Sequence, residues 1–214
     1  MPIEAVLWDF GGVITASPFE AFNRYEADRG LPRDFVRRVN SVNPDTNAWA
    51  RLERSEIGAE AFDTAFEAEA SALGHAVPGR DILAILAGAV RPRVVDALKA
   101  CKARFKVGCI TNNAPTGKGA GMARSEEAAR QVAEILLLFD HVIESSKAGV
   151  RKPDPRIYEM MCEAIGVAPS ACVYLDDLGI NLKPARAMGM TTIKVVSEPQ
   201  LLSDLSAATG LAFD

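Results

Sequence analysis

The chain has few of the residues that most often mark metal or redox chemistry. It holds two histidines, His75 and His141, and four cysteines, Cys101, Cys109, Cys162 and Cys172. Neither histidine stands at a metal-ligand spacing, and no Ser-His-Asp triad has specific support. No two cysteines form a CxxC pair, so a zinc site or a disulfide framework is not expected; the thiols read as reduced and mostly packed. No apolar run is long enough to cross a bilayer. The N-terminal stretch has no basic region, and its short apolar run carries Glu4 and Asp9, so it does not read as a signal peptide. A formal net charge of −4 provides no electrostatic footprint for nucleic acid. These absences lead to the expectation of a cytoplasmic protein with neither a nucleic acid nor a membrane as partner. What remains is ordinary for a globular chain: 214 residues, 49% hydrophobic and 24% charged. That suffices for one domain with a large insertion, or for two unequal domains.

Strand and helix patterns alternate through much of the sequence. Residues 3–9, 106–111, 141–144, 172–176 and 191–196 read as strands, and roughly 92–104, 122–138, 154–166, 181–189 and 199–208 as helices. Asp154 before Pro155 suits a helix start, as does Asn181, which would place Pro184 in a first turn. Gly166 and Gly189 suit helix ends. Strands separated by helices predict a parallel sheet covered on both faces. Residues 16 to about 90 break this rhythm. Phe19, Phe22, Tyr25, Phe62, Phe66 and Leu73 suggest amphipathic helices with no convincing strand. An all-helical insertion here would lie over the strand ends, where open α/β sheets bind ligands.

Chemistry-bearing residues recur at those strand ends. The run Ile3–Trp8 ends at Asp9-Phe10-Gly11-Gly12, which presents a carboxylate in a glycine-rich turn as a nucleophile or metal ligand. Val107–Ile110 leads to Thr111-Asn112-Asn113, whose hydroxyl and amide could donate to a phosphate oxygen; alone they would read as a turn. Lys152 precedes Pro153-Asp154-Pro155, where proline fixes the backbone, and could neutralise a phosphate or the Asp9 carboxylate. Its neighbour Arg151 reads as an exposed loop residue. Cys172–Leu175 ends in Asp176-Asp177. Adjacent carboxylates repel unless a cation or base lies between them, and with Asp9 they make an oxygen-rich site suited to Mg²⁺.

In order, spacing and context, Asp9, Thr111, Lys152 and Asp176-Asp177 resemble the four motifs of the haloacid dehalogenase superfamily. The stretches Lys152–Tyr158 and Tyr174–Arg186 are similar to the subgroup that includes the N-terminal phosphatase domain of soluble epoxide hydrolase. The resemblance implies a three-layer flavodoxin-like α/β core from residues 1–15 and about 91–214, with a helical cap from 16 to about 90. It implies a Mg²⁺-dependent phosphatase acting on a small phosphorylated substrate. Asp9 would form an aspartyl-phosphate. Mg²⁺ would be held by Asp9, the Gly11 carbonyl and Asp177, with Asp176 beside them. Thr111 and the Asn112 backbone would bind the phosphoryl group, and Lys152 would stabilise both it and Asp9.

One position departs from the pattern. Phosphatases of this family carry a second Asp two residues after the nucleophile, as acid and base; here that position is Gly11. Losing such a group typically costs about 10²–10⁴-fold in rate, least for a good leaving group. Glu20, Glu53 and Glu56 are carboxylates in the insertion, each expected at the surface. Two other readings stay open: a 2-haloacid dehalogenase, which also lacks that Asp and needs no metal, and a binding or regulatory protein that has lost turnover. Two motif-like strings carry no weight. Asp9-Phe10-Gly11 spells a kinase tripeptide without kinase partners. Thr116–Gly121 fits neither the P-loop nor the dinucleotide pattern and reads as a mobile loop.

Overall fold

The computed structural model describes residues 2–114 and 125–213. The Thr116–Gly121 loop and the first residues of the helix expected from 122 lie outside them. Five parallel strands form one sheet: β1 (Ala5–Trp8), β2 (Lys106–Thr111), β3 (His141–Glu144), β4 (Cys172–Asp176) and β5 (Thr191–Lys194), in the order β3-β2-β1-β4-β5. All five fall where the apolar runs predict them, β1 shorter by two residues at its start and one at its end, and β5 shorter by two at its end. Central strands covered on both faces are apolar almost throughout, which makes them readable. The three-layer arrangement is as expected. The strand order is that of the Rossmann sheet, and the direction of winding reverses between β1 and β4.

Alternation along β1 divides the core. Val6 and Trp8 pack with α6 (Pro92–Lys102), α7 (Glu126–Leu136) and α11 (Glu198–Thr209). Ala5 and Leu7 pack on the other face with α9 (Pro155–Ile165) and α10 (Gly179–Ala187). The short α8 (Ser145–Ala148) follows β3. Asp154 caps α9 as predicted, its carboxylate accepting from the Arg156 amide. Asn181 does not cap α10. That helix starts two residues earlier, at Gly179, because the Asn181 amide is drawn to Asp176 instead. Pro184 therefore lies inside the helix rather than in its first turn; the carbonyl it leaves unpaired belongs to the exposed Ile180. All four cysteines are free and buried.

Between β1 and β2 lie α1 (Pro18–Asp28), α2 (Phe35–Ser41), α3 (Ala48–Glu53), α4 (Ala59–Ala72) and α5 (Gly79–Leu83). They have an apolar cluster of their own, centred on Phe22, Phe35, Leu52, Phe62, Phe66 and Ile82. The two connections to the sheet run side by side: Thr15 bridges Val90 antiparallel, and the Ala16 amide donates to Ala89 at 2.8 Å. Gly88 permits this crossing, since a Cβ there would stand 2.2 Å from the Ala16 carbonyl oxygen. Among the described residues no helix is long and apolar enough to cross a membrane.

Candidate active site

The reversal of winding places β1 and β4 side by side, so their C-terminal ends open into one crevice. Trp8 pairs with Leu175, and the Asp9 amide donates to the Leu175 carbonyl at 2.9 Å, which sets Asp9 and Asp176 next to each other. Lys152, on the loop before α9, ends between them: its Nζ is 2.8 Å from Asp9 Oδ1 and 2.8 Å from Asp176 Oδ2. The side chain is 1% exposed. Burial alone would drive Lys152 to lose its proton; Asp176 and Asp9 outweigh it and hold the ammonium protonated. Burial in turn pushes the Asp9 carboxyl up, against the pull of Lys152.

Asp176 is saturated. Its oxygens accept from Lys152, from the Tyr174 hydroxyl at 2.5 Å, from the Leu178 amide at 2.8 Å and from the Asn181 amide at 3.1 Å. Asp177 is the opposite case. Among the described residues its one side-chain partner is the Ser17 hydroxyl, which donates to Oδ2 at 3.0 Å, and its pKa is pushed up to about 6 by burial and by Asp176. One oxygen from each of Asp9, Asp176 and Asp177 lies within 4.8 Å of the others. Three carboxylates facing one ammonium leave an excess of negative charge, and a hard divalent cation with oxygen ligands fits that set.

The turn after Asp9 is built to admit Asp177. Phe10–Ile14 forms one wide turn, closed by the Thr15 amide on the Phe10 carbonyl and held by Arg91, which donates to the Gly12 carbonyl at 3.0 Å. Asp9 Oδ1 accepts from the Phe10 amide at 2.6 Å. Gly12 has φ +78°, and a Cβ there would lie 2.2 Å from Asp177 Oδ2, so both backbone and space demand glycine. Gly11 is different: φ −70° and ψ 131° suit any residue, and a Cβ would meet nothing within 4 Å. The missing carboxylate at this position is not excluded by the backbone.

Thr111 is buried at the end of β2. Asn112, whose backbone is expected to bind the phosphoryl group, has its side chain tied to Lys152: Nδ2 donates to the Lys152 carbonyl at 3.0 Å, and Oδ1 accepts from the Lys152 amide at 2.8 Å. Glu53 is not at the surface. It is 6% exposed and paired with Arg151 at 2.6 Å, because folding carries the end of α3 onto the Arg151 loop. Arg151 is correspondingly not a free loop residue, whereas Glu20 and Glu56 are exposed as expected. Ser17, Tyr174, Asn181 and Arg91 escape the sequence reading. Tyr174 sits two residues before Asp176 on the same strand and Asn181 five residues after it, so their positions carried a usable signal; Ser17 and Arg91 approach from other segments.

A family model described as haloacid dehalogenase-like hydrolase matches residues 3–189. The chain belongs to this family of hydrolases. It is 29% identical to bifunctional epoxide hydrolase 2 of Mus musculus over all of this chain and 40% of that protein, so it spans well under half of that relative. It is 31% identical to phosphatase MT3486 of Mycobacterium tuberculosis, over 89% of this chain and 86% of that one. A solved structure of a family enzyme from Bacteroides thetaiotaomicron, in complex with magnesium and inorganic phosphate, shares the fold. Its TM-score is 0.59 at 18% identity, with 92% of this chain and 96% of that one covered.

Proposed function

We propose that the protein is a Mg²⁺-dependent phosphatase that acts on a small organic phosphate through an aspartyl-phosphate on Asp9. The observation that carries this reading is the surplus of carboxylate charge around Lys152: Asp9 and Asp176 share a single ammonium, and Asp177 clusters with them. Asp9, the Gly11 carbonyl and Asp177 would hold Mg²⁺, with Asp176 behind them, oriented by its four donors. When bound, the ion would supply positive charge to offset that of the phosphate beside Asp9. The Mycobacterium tuberculosis phosphatase supports the same class of substrate.

Each remaining role belongs to a residue of the chain. Lys152 favours the ionised form of Asp9 against the effect of burial and offsets charge on the transferring group. The Thr111 hydroxyl and the Asn112 amide orient the phosphoryl oxygens. An Asp9 oxygen bonds to phosphorus as the bond to the leaving oxygen breaks, the electron pair departing with the leaving group. Water then attacks phosphorus, freeing Asp9 and inorganic phosphate. With Gly11 carrying no acid, the leaving group departs without a proton from that position, which favours aryl, acyl or sugar 1-phosphates. Residues 16–90 form the cap over a core of 1–15 and 91–214, and choose among such substrates.

Hydrolysis of an aryl phosphate tests the proposal. Turnover is expected with Mg²⁺, lost with EDTA, and lower by about 10⁴-fold or more in Asp9→Asn. Equal turnover by the variant sinks it.

A further inference from the structure

We infer that Glu53 is a positioning residue for the candidate phosphate site, acting from the helical segment through Asn112 and Arg151 on Lys152. The inference rests on the phosphatase reading and goes beyond it, by giving the segment a part in the chemistry as well as in substrate choice.

The geometry converges on one lysine. Glu53 Oε2 accepts from Arg151 Nε at 2.6 Å and from Asn112 Nδ2 at 3.3 Å, while Oε1 accepts from the Trp49 indole at 2.9 Å. Asn112 then grips the Lys152 backbone at both its amide and its carbonyl. Arg151 is the residue immediately before Lys152 and also donates to the Pro44 carbonyl at 3.0 Å. Main-chain docking reinforces the contact: Ser145 Oγ donates to the Glu53 carbonyl, and Ser55 Oγ to the Ser146 carbonyl, each at 2.8 Å.

The charge on Glu53 has a specific consequence. A carboxylate only accepts hydrogen bonds, so it must face the NH₂ end of the Asn112 amide. That choice turns Oδ1 toward the Lys152 N–H. A glutamine at position 53 could still accept from Asn112 through its own amide oxygen, but it would lose the charge that pairs with Arg151 and so loosen the main chain that carries Lys152. Lys152 Nζ reaches both Asp9 and Asp176 only from a fixed backbone, and a displacement of about 1 Å at a reacting centre can cost ~10²-fold.

The test is para-nitrophenyl phosphate hydrolysis with Mg²⁺ by wild type, Glu53→Gln, Arg151→Met, the double variant, and Glu56→Gln as an exposed control. Glu53→Gln is expected to lower kcat roughly 10- to 100-fold with KM within about threefold. The double variant should be about as slow as either single, because the two act as one unit. Calorimetric Mg²⁺ affinity should be unchanged, since Glu53 touches none of the three aspartates, and Glu56→Gln should match wild type. Wild-type rates in Glu53→Gln, independent multiplying losses, recovery of rate in the double variant, or a parallel loss of Mg²⁺ affinity would each overturn the inference. Glu53→Gln keeps the side-chain shape, and its melting curve separates misfolding from mispositioning. Absence of turnover by wild type itself removes the phosphatase reading, and this inference with it.

Discussion

The end of the sheet and the helical segment use buried polarity in opposite ways. At the sheet, charged groups are buried at high density and tied to one another, as in Asp176 with its four donors. In the helices the interior is mostly apolar, with Glu26 and Asn47 as buried exceptions, and most ion pairs, such as Arg80–Asp63 and Arg54–Glu56, lie on the outside. Three buried polar atoms there, Asn23 Oδ1, Asn40 Oδ1 and Arg37 Nε, have no hydrogen-bond partner among the described residues. Such groups are costly to bury. The sheet end is therefore specified by electrostatics, the helical segment by packing, and Glu53 is the point at which the second reaches into the first.

The contrast is sharpest where a charge is removed. Lys152→Met leaves Asp9 and Asp176 buried without their cation and should cost about 3–5 kcal/mol. At roughly 2–4 °C per kcal/mol for a chain of this size, calorimetry should register a melting temperature lower by about 10 °C. A shift under 2 °C would mean that the buried charges are not coupled as the distances indicate.

Gly11→Asp places a carboxylate in open space beside the turn. Turnover of alkyl phosphates should rise about tenfold or more relative to aryl phosphates, because a poor leaving group gains most from a proton. An equal change for both classes would show that the new carboxyl does not reach the leaving oxygen.

Asp177→Asn should weaken Mg²⁺ binding yet stabilise the metal-free protein. A carboxyl whose pKa is raised to about 6 binds its proton more readily in the folded state than in the unfolded one. Its contribution is present at low pH and is lost as pH rises from about 4 to about 6. The variant's melting temperature should thus exceed that of metal-free wild type by a few degrees at pH 7, about 2–4 °C per kcal/mol, and the gap should close toward pH 4. A gap that widens on acidification has the wrong sign.

The smallest effect is expected on the helical side. Arg80→Ala removes an exposed pair with Asp63 and should change stability by less than about 1 kcal/mol. A larger loss would put electrostatics into a region assigned here to packing.

How much of this was legible follows the same division. Asp9, Thr111, Lys152, Asp176 and Asp177 stand next to apolar runs that become buried strands or beside prolines that stiffen a loop, so local pattern exposes them. The Glu53–Arg151 pair joins residues 98 apart in sequence, and neither lies on a strand that would flag it. Asn181 misled because an asparagine before a helical pattern commonly caps it, whereas here a buried carboxylate competes for the same amide. The short helices α2, α3 and α5 span only one or two turns, too few for periodicity to set their ends. Gly12 reads in the sequence only as part of a glycine-rich turn; the fold brings Asp177 against it.

Adjacent parallel strands lie about 4.8 Å apart. Because Asp9 and Asp176 end neighbouring strands, the sheet itself acts as a ruler for the proposed nucleophile and its partner, wherever the helices lie. The Thr15–Val90 crossing then works like a socket. A different helical module grafted into it would inherit correctly spaced carboxylates, and with them a reaction, while changing the molecules admitted. It would not inherit a settled Lys152: the guest module would have to bring its own acid for Arg151 and Asn112, at the place where Glu53 stands now.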